Sequence, residues 1–183
     1  MKICLNNNGS TTMQKTLIFA LALTLLPTTL QAQPKPKPIP CSTEQYRHFD
    51  FWIGSWEVKG AKGKVVGHSE IKQILKGCAI SESWSSTTGY KGVSYNFFDN
   101  AKGQWHQTWI GGGGGALYLD GNLEDGKMVL KGQTKGKDGK MTMQKISWTS
   151  MDDGRVSQHW VVSKDDGKTW TNSFLGYYSK VAE

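Results

Sequence analysis
One carboxylate stands apart from the others in this sequence. Of the 15 acidic residues, most fall in Gly- and Asp-rich turn clusters, but Glu82 lies inside a β-prone run between Ile80 and Trp84. A carboxylate on an inward strand face needs hydrogen-bond donors, a counter-charge or a bound proton, and any of these makes it a candidate site residue. It can orient a ligand or serve as a general acid or base. No second lumenal carboxylate is expected beside it, so a two-carboxylate glycosidase site is unsupported. No Gly-x-Ser-x-Gly nucleophile signature is present either. Other runs alternate amphipathic aromatics with amides: Trp105, Gln107 and Trp109 in one, Gln158 and Trp160 in another. Alternation places such residues on one strand face. In the run 90–98 two faces compete, Ser94/Asn96/Phe98 against Val93/Tyr95/Phe97. Glu82, Trp84, Asn96, Trp105, Gln107, Trp109, Gln158 and Trp160 form the candidate ligand-binding set. Its Trp rings would stack on a small molecule, and its Glu, Asn and Gln would orient it.

Metal and cofactor chemistry find little support. The four His residues are His48, His68, His106 and His159, and no two share ligand spacing on one element. No metal site and no cofactor is expected. A haem alternative needs one lumenal His, for which His68 is the best candidate if its strand takes the opposite register. Gly111 to Gly115, with Ala116, satisfy a Gly-x-Gly-x-x-Gly/Ala pattern, but Leu117-Tyr118-Leu119-Asp120 continue as a strand. A phosphate cradle needs a helix N-terminus there, so these glycines predict a mobile loop at a barrel mouth instead. Ser163 to Trp170 match the Ser-x-Asp-x-Gly-x-Thr-Trp Asp-box of sialidase propellers, where it braces a hairpin away from the catalytic site. One copy cannot build a propeller, so it predicts a braced turn.

The elements that would position these side chains are strands. β-prone runs cover roughly 56–60, 64–76, 78–87, 90–98, 103–110, 115–123, 127–134, 141–150, 154–164 and 170–180. Between them lie turn signals such as Glu124-Asp125-Gly126-Lys127 and Lys137-Asp138-Gly139-Lys140. No dozen-residue window has helical spacing. The pattern predicts an all-β fold, an antiparallel up-and-down β-barrel of about ten strands in one domain. Closure removes the exposed edges such a sheet would otherwise carry. Parity predicts Trp170, Asn172, Phe174, Gly176 and Tyr178 on one face of the last strand. With 8 Trp, 6 Tyr and 6 Phe, this is no disordered composition.

The N-terminus reads as an address. Lys15, the apolar run Leu17 to Leu30 and a small residue at Ala32 have the form of a secretory signal peptide over 1–32, with Met13 the better start. A Pro/Lys-rich linker follows over 33–43, and the barrel domain is expected over 44–183. Cleavage removes Lys2 and Lys15, so basic residues fall from 22 to 20 against 15 acids and net charge falls from +7 to +5. The remaining lysines scatter over hairpin tips, so no nucleic-acid partner is expected. No integral membrane segment remains after cleavage. Cys4 also leaves, and Cys41 and Cys78 form an even pair that predicts a disulfide in a periplasmic or extracellular protein. The sequence does not specify an oligomeric state.

Phe49-Asp50-Phe51-Trp52-Ile53-Gly54-Ser55-Trp56-Glu57-Val58 resembles the opening of an uncharacterised bacterial lipocalin-like family. The resemblance continues through Gly77 to Trp84, Gly103 to Trp109 and Ser163 to Trp170. Gly54-x-Trp56 also resembles the first-strand Gly-x-Trp of the calycins, in which the Trp plugs the closed end under a basic residue from the last strand. The resemblance gives that basic part to Lys180, although Arg is more usual. It implies a calycin barrel that binds a small molecule, and it implies no reaction. The expectation is an exported small-molecule-binding barrel. Alternatives are an enzyme using Glu82 as general acid or base, and a structural or interaction protein of the cell envelope.

Overall fold
Short alternating runs punctuated by Gly-containing turns can bury only one side each, and a sheet of them is satisfied by rolling up on itself. The computed structural model of the protein, which describes residues 37–181, shows this outcome. Ten strands form: β1 Gly54–Gly60, β2 Val65–Ile74, β3 Ala79–Ser86, β4 Lys91–Asp99 and β5 Gln104–Gly111. They continue as β6 Ala116–Glu124, β7 Lys127–Lys135, β8 Met141–Ser150, β9 Val156–Ser163 and β10 Thr171–Lys180. Each pairs antiparallel with the next, and β1 pairs with β10 to close the barrel. The predicted signal peptide over 1–32 lies outside the described residues. Among the described residues no helix is long and apolar enough to cross a membrane.

One end of the barrel is sealed by the chain that precedes β1. Two 3-10 turns, Glu44–Arg47 and Asp50–Trp52, carry Phe49 and Trp52 under the strands, and both side chains are fully buried. Phe49 stacks on Trp52 at 4.9 Å and meets the edges of Trp148 at 5.1 Å and Trp105 at 5.7 Å. Each such aromatic is worth about 2 kcal/mol or more in area removed from water. Two indoles find backbone acceptors: Trp56 Nε1 donates to Trp52 O at 2.9 Å and Trp105 Nε1 to Gln45 O at 3.0 Å. The Lys180 ammonium lies 5.5 Å from the centre of the Trp56 ring, across the β1–β10 ladder. The Cys41–Cys78 disulfide ties this floor segment to the β2–β3 corner. Arg47 reinforces the tie by donating to Gly77 O.

The opposite end is the mouth, ringed by the β1–β2, β3–β4, β5–β6, β7–β8 and β9–β10 connections. The Gly111 to Gly115 segment is one of these, and Gly112 N donates to Lys91 O at 2.7 Å. In β4 the face carrying Ser94 and Asn96 turns inward, while Val93, Tyr95 and Phe97 face solvent. The apolar residues therefore take the outer surface there and the polar ones the interior. One parity expectation needs correction. A bulge between Asn172 and Phe174 shifts the β10 register by one residue, so Phe174 and Tyr178 face inward but Asn172 faces out, where its Oδ1 lies 3.0 Å from His159 Nε2. Trp170 precedes the strand and lies outside under the Lys145 ammonium, 4.4 Å from its ring centre.

Candidate functional site
Glu82 sits midway along β3 on the inward face, 5% exposed. The neighbouring strands supply its hydrogen bonds. Ser69 of β2 donates to Oε1 at 3.0 Å and Ser94 of β4 to Oε2 at 2.9 Å. Behind Ser94 the donors line up: Gln107 Nε2 donates to Asn96 Oδ1 at 2.7 Å, and Asn96 Nδ2 donates to Ser94 Oγ at 3.0 Å. The chain of hydrogen bonds runs from β5 through β4 and ends on the carboxylate. No cation pairs with Glu82 among the described residues. Burial pushes its carboxyl up from 4.5 to about 7, and the two serine hydrogen bonds offset only part of that rise. The buried Tyr178 phenol is raised well above its ordinary 10 by burial and then by the charge on Glu82. Its hydroxyl donates to Gln158 Oε1.

Aromatic side chains cover the wall above this network, and glycines make room for them. A Cβ on Gly67 would come within 2.6 Å of the Trp84 ring, and one on Gly176 within 2.7 Å of the Phe174 ring. Gly92 stands in the same relation to Trp109, and Gly111 to the Tyr90 hydroxyl. Each ring can therefore lie back against the barrel wall rather than fill the interior. Trp84 and Phe174 meet edge to face at 6.4 Å. Trp160 is fixed by donation from Nε1 to Gln144 Oε1 at 2.8 Å. The space left in the middle is a cavity of about 320 Å³ that reaches the mouth at Tyr90 and Ser173. That volume suits a small organic molecule.

Of the eight residues singled out from sequence, six come together on this cavity: Glu82, Trp84, Gln107, Trp109, Gln158 and Trp160. Asn96 is inward and fully buried, but it lies behind Ser94 and Gln107 as part of the hydrogen-bond chain. Trp105 belongs to the floor, against Phe49. The cavity also takes in Tyr90, Leu117, Ile146, Ser173, Phe174 and Tyr178, which were not singled out. Parity placed Phe174 and Tyr178 inward, and that signal was enough to find them. Tyr90 lies in a turn and Ser173 at a bulge, where alternation carries no information. Ser69, the second donor to Glu82, shares its inward face with Gly67 and Ile71.

The remaining motifs lie elsewhere. His68 faces solvent, as the pairing of Ser69 with Trp84 requires, so the strand does not take the register a haem alternative needs. His106 is held on the outer face between Asp120 and Thr108, 2.8 Å from each. No group of three or more His, Cys, Asp or Glu able to hold a metal occurs among the described residues. The Asp-box forms a braced turn at the mouth. Asp165 accepts from the Thr169 amide at 2.9 Å and from Ser163 Oγ at 2.7 Å, and Ser163 Oγ accepts from the Gly167 amide at 2.8 Å. The hydrogen bonds that Asp165 accepts, led by the one from the Thr169 hydroxyl, hold its carboxyl down at about 2.

The chain matches no known protein-family model, and no curated protein matches it. Within the closed ten-stranded barrel the cavity sets Glu82 and Gln107 among glycine-backed aromatic rings.

Proposed function
We propose that this protein binds a small molecule in the barrel lumen, and that it does so as an exported protein. The observation that carries the reading is the cavity of about 320 Å³ with Glu82, Gln107 and Gln158 among its Trp and Phe walls. A lumen filled with side chains would favour a purely structural envelope role. A calycin-like assignment is supported by the closed up-and-down barrel and by Lys180 lying over Trp56. Export is supported by the Cys41–Cys78 disulfide, a bond that persists in oxidising compartments. The proposed organisation remains a signal peptide over 1–32, a linker over 33–43 and a barrel over 44–183, with no cofactor assigned. Native mass spectrometry of the protein recovered from a periplasm tests the reading. The expected spectrum has the mass of a chain cleaved after Ala32, two protons lighter for the disulfide, with a small-molecule adduct. A bare mass that stays bare on adding a periplasmic small-molecule extract counts against a binding role.

One observation favours a second reading, in which Glu82 is a general acid or base. Its carboxyl titrates at about 7, near the pH at which proton transfer is most effective. Turnover of a bound molecule that disappears in Glu82→Gln while the molecule still binds would support it.

A further inference from the structure
Resting on the binding reading above, we infer that the cavity is built for an organic ammonium ion, with Glu82 as its counter-ion and the surrounding aromatic faces as its walls. Three observations converge on this class. First, Glu82 is a buried carboxylate with no Lys, Arg or His among the residues that line the cavity. A buried charge without a partner is costly, and a cationic ligand would supply the partner. Second, the lining is rich in π faces: Trp84, Trp109, Trp160 and Phe174 stand around the same space. Aromatic faces attract cations, most strongly where water is excluded, and cages of such rings are a recurrent way to hold an alkylated ammonium. Third, the Glu82 carboxylate has acceptor capacity to spare. Both carboxylate oxygens hold one serine donor each and retain lone pairs for another. The carboxylate thus offers acceptors to a ligand that brings donors. A carboxylate or phosphate ligand would meet Glu82 with like charge and find no cation to offset it.

Size sets a further bound. About 320 Å³ accommodates an amine with an apolar or aromatic body of one ring, rather than a long polyamine or a peptide. The ammonium belongs at the Glu82 end, below, and the body among the rings toward Tyr90 and the mouth.

Three isosteric probes separate the ideas: 2-phenylethylammonium, 2-phenylethanol and phenylacetate, titrated against the intrinsic Trp fluorescence of the purified protein. The expected order is ammonium, then alcohol, then carboxylate, with the ammonium about tenfold or more tighter than the alcohol at pH 8. In Glu82→Gln that preference over the alcohol should shrink to about threefold or less. A second readout needs no variant. The ammonium keeps its proton throughout, as a lysine does, and binds the ionised carboxylate. With Glu82 titrating at about 7, its affinity should fall about tenfold between pH 8 and pH 6, while that of the alcohol should not fall. The group facing Glu82 from β10 is Tyr178, which stays neutral over this range, and β2 and β4 present Ser69 and Ser94. Equal binding of all three probes, or preference for the alcohol or carboxylate, overturns the ammonium reading and leaves the binding reading standing. Absence of binding by all three at tens of millimolar overturns the ammonium reading, and the binding reading falls with it only if the native mass also stays bare with the extract.

Discussion
Removing the charge from Glu82 should stabilise the ligand-free protein at neutral and alkaline pH. In the unfolded chain its carboxyl titrates at 4.5, and in the folded barrel at about 7. Below the lower value both states are protonated and the residue costs nothing. As pH rises from 4.5 toward 7 the unfolded state releases its proton and the folded state does not, so stability falls. Above 7 the folded state ionises too and the penalty levels off. The separation of the two values corresponds to about 3 kcal/mol at pH 8, of which about 2 kcal/mol is already present at pH 6. Urea unfolding of the disulfide-intact protein and of Glu82→Gln at pH 4, 6 and 8 measures this. Every other acid is common to both proteins and cancels in the difference. Lost hydrogen-bond geometry in the variant adds an offset that does not vary with pH. The gap between variant and parent should therefore move in the variant's favour by about 3 kcal/mol from pH 4 to pH 8. A gap that stays flat, or that moves toward the parent, refutes the claim that burial without a counter-charge controls this carboxyl.

Other consequences are as open to measurement. Gly92→Ala should force Trp109 off the wall and into the lumen. It should cost about 1–3 kcal/mol by urea unfolding, change the near-ultraviolet circular dichroism and weaken probe binding. Reducing the Cys41–Cys78 bond, which spans a sequence separation of 37 residues, should cost about 4 kcal/mol on the chain-entropy account, read as a shift in urea midpoint with and without reductant. Phe49→Ala should remove the centre of the floor and cost about 3–5 kcal/mol. Asp165→Ala should speed hydrogen exchange of the Thr169 amide and leave exchange in β4 and β5 unchanged, because the hydrogen bonds it makes are confined to its own turn.

The strand count and the inward faces of β3, β5 and β9 were legible because alternation is a physical requirement there. Glu82, Trp84, Gln107 and Trp160 could be assigned to one interior from parity alone. The β4 face could not. Its outward residues Val93, Tyr95 and Phe97 are more apolar than its inward Ser94 and Asn96. Hydrophobicity pointed the wrong way because the interior of that strand is a hydrogen-bond chain rather than an oily core. Trp105 and Trp109 have the same type, parity and strand, yet one plugs the floor and the other lines the cavity. Their difference is a depth along the barrel axis, set by the floor segment that packs under Trp105, and periodicity contains no depth. The bulge at Ser173 likewise displaced Asn172 because one extra residue inverts the parity before it. The glycines opposite the rings carried a signal that composition alone obscures. Gly67, Gly92, Gly111 and Gly176 are inward positions matched to aromatic partners, whereas Gly126 and Gly139 serve turns with positive φ.

The way the barrel closes concentrates its folding problem in one place. Nine of the ten ladders join strands that are adjacent in the chain and can form hairpin by hairpin, whereas the β1–β10 ladder brings together the two ends of the domain. Almost all the long-range loop-closure entropy is charged to that seam. β1 is also continuous with the segment that seals the floor, and Trp56 within it is hydrogen-bonded to that segment at Trp52. Closing the seam therefore also brings the plug segment to its place, since both lie on one stretch of chain. Until it happens, the nine-ladder sheet is an open ribbon with two free edges and no enclosed lumen. The cavity exists only in the fully closed topology, so a folding intermediate that lacks the seam has nothing with which to hold a ligand.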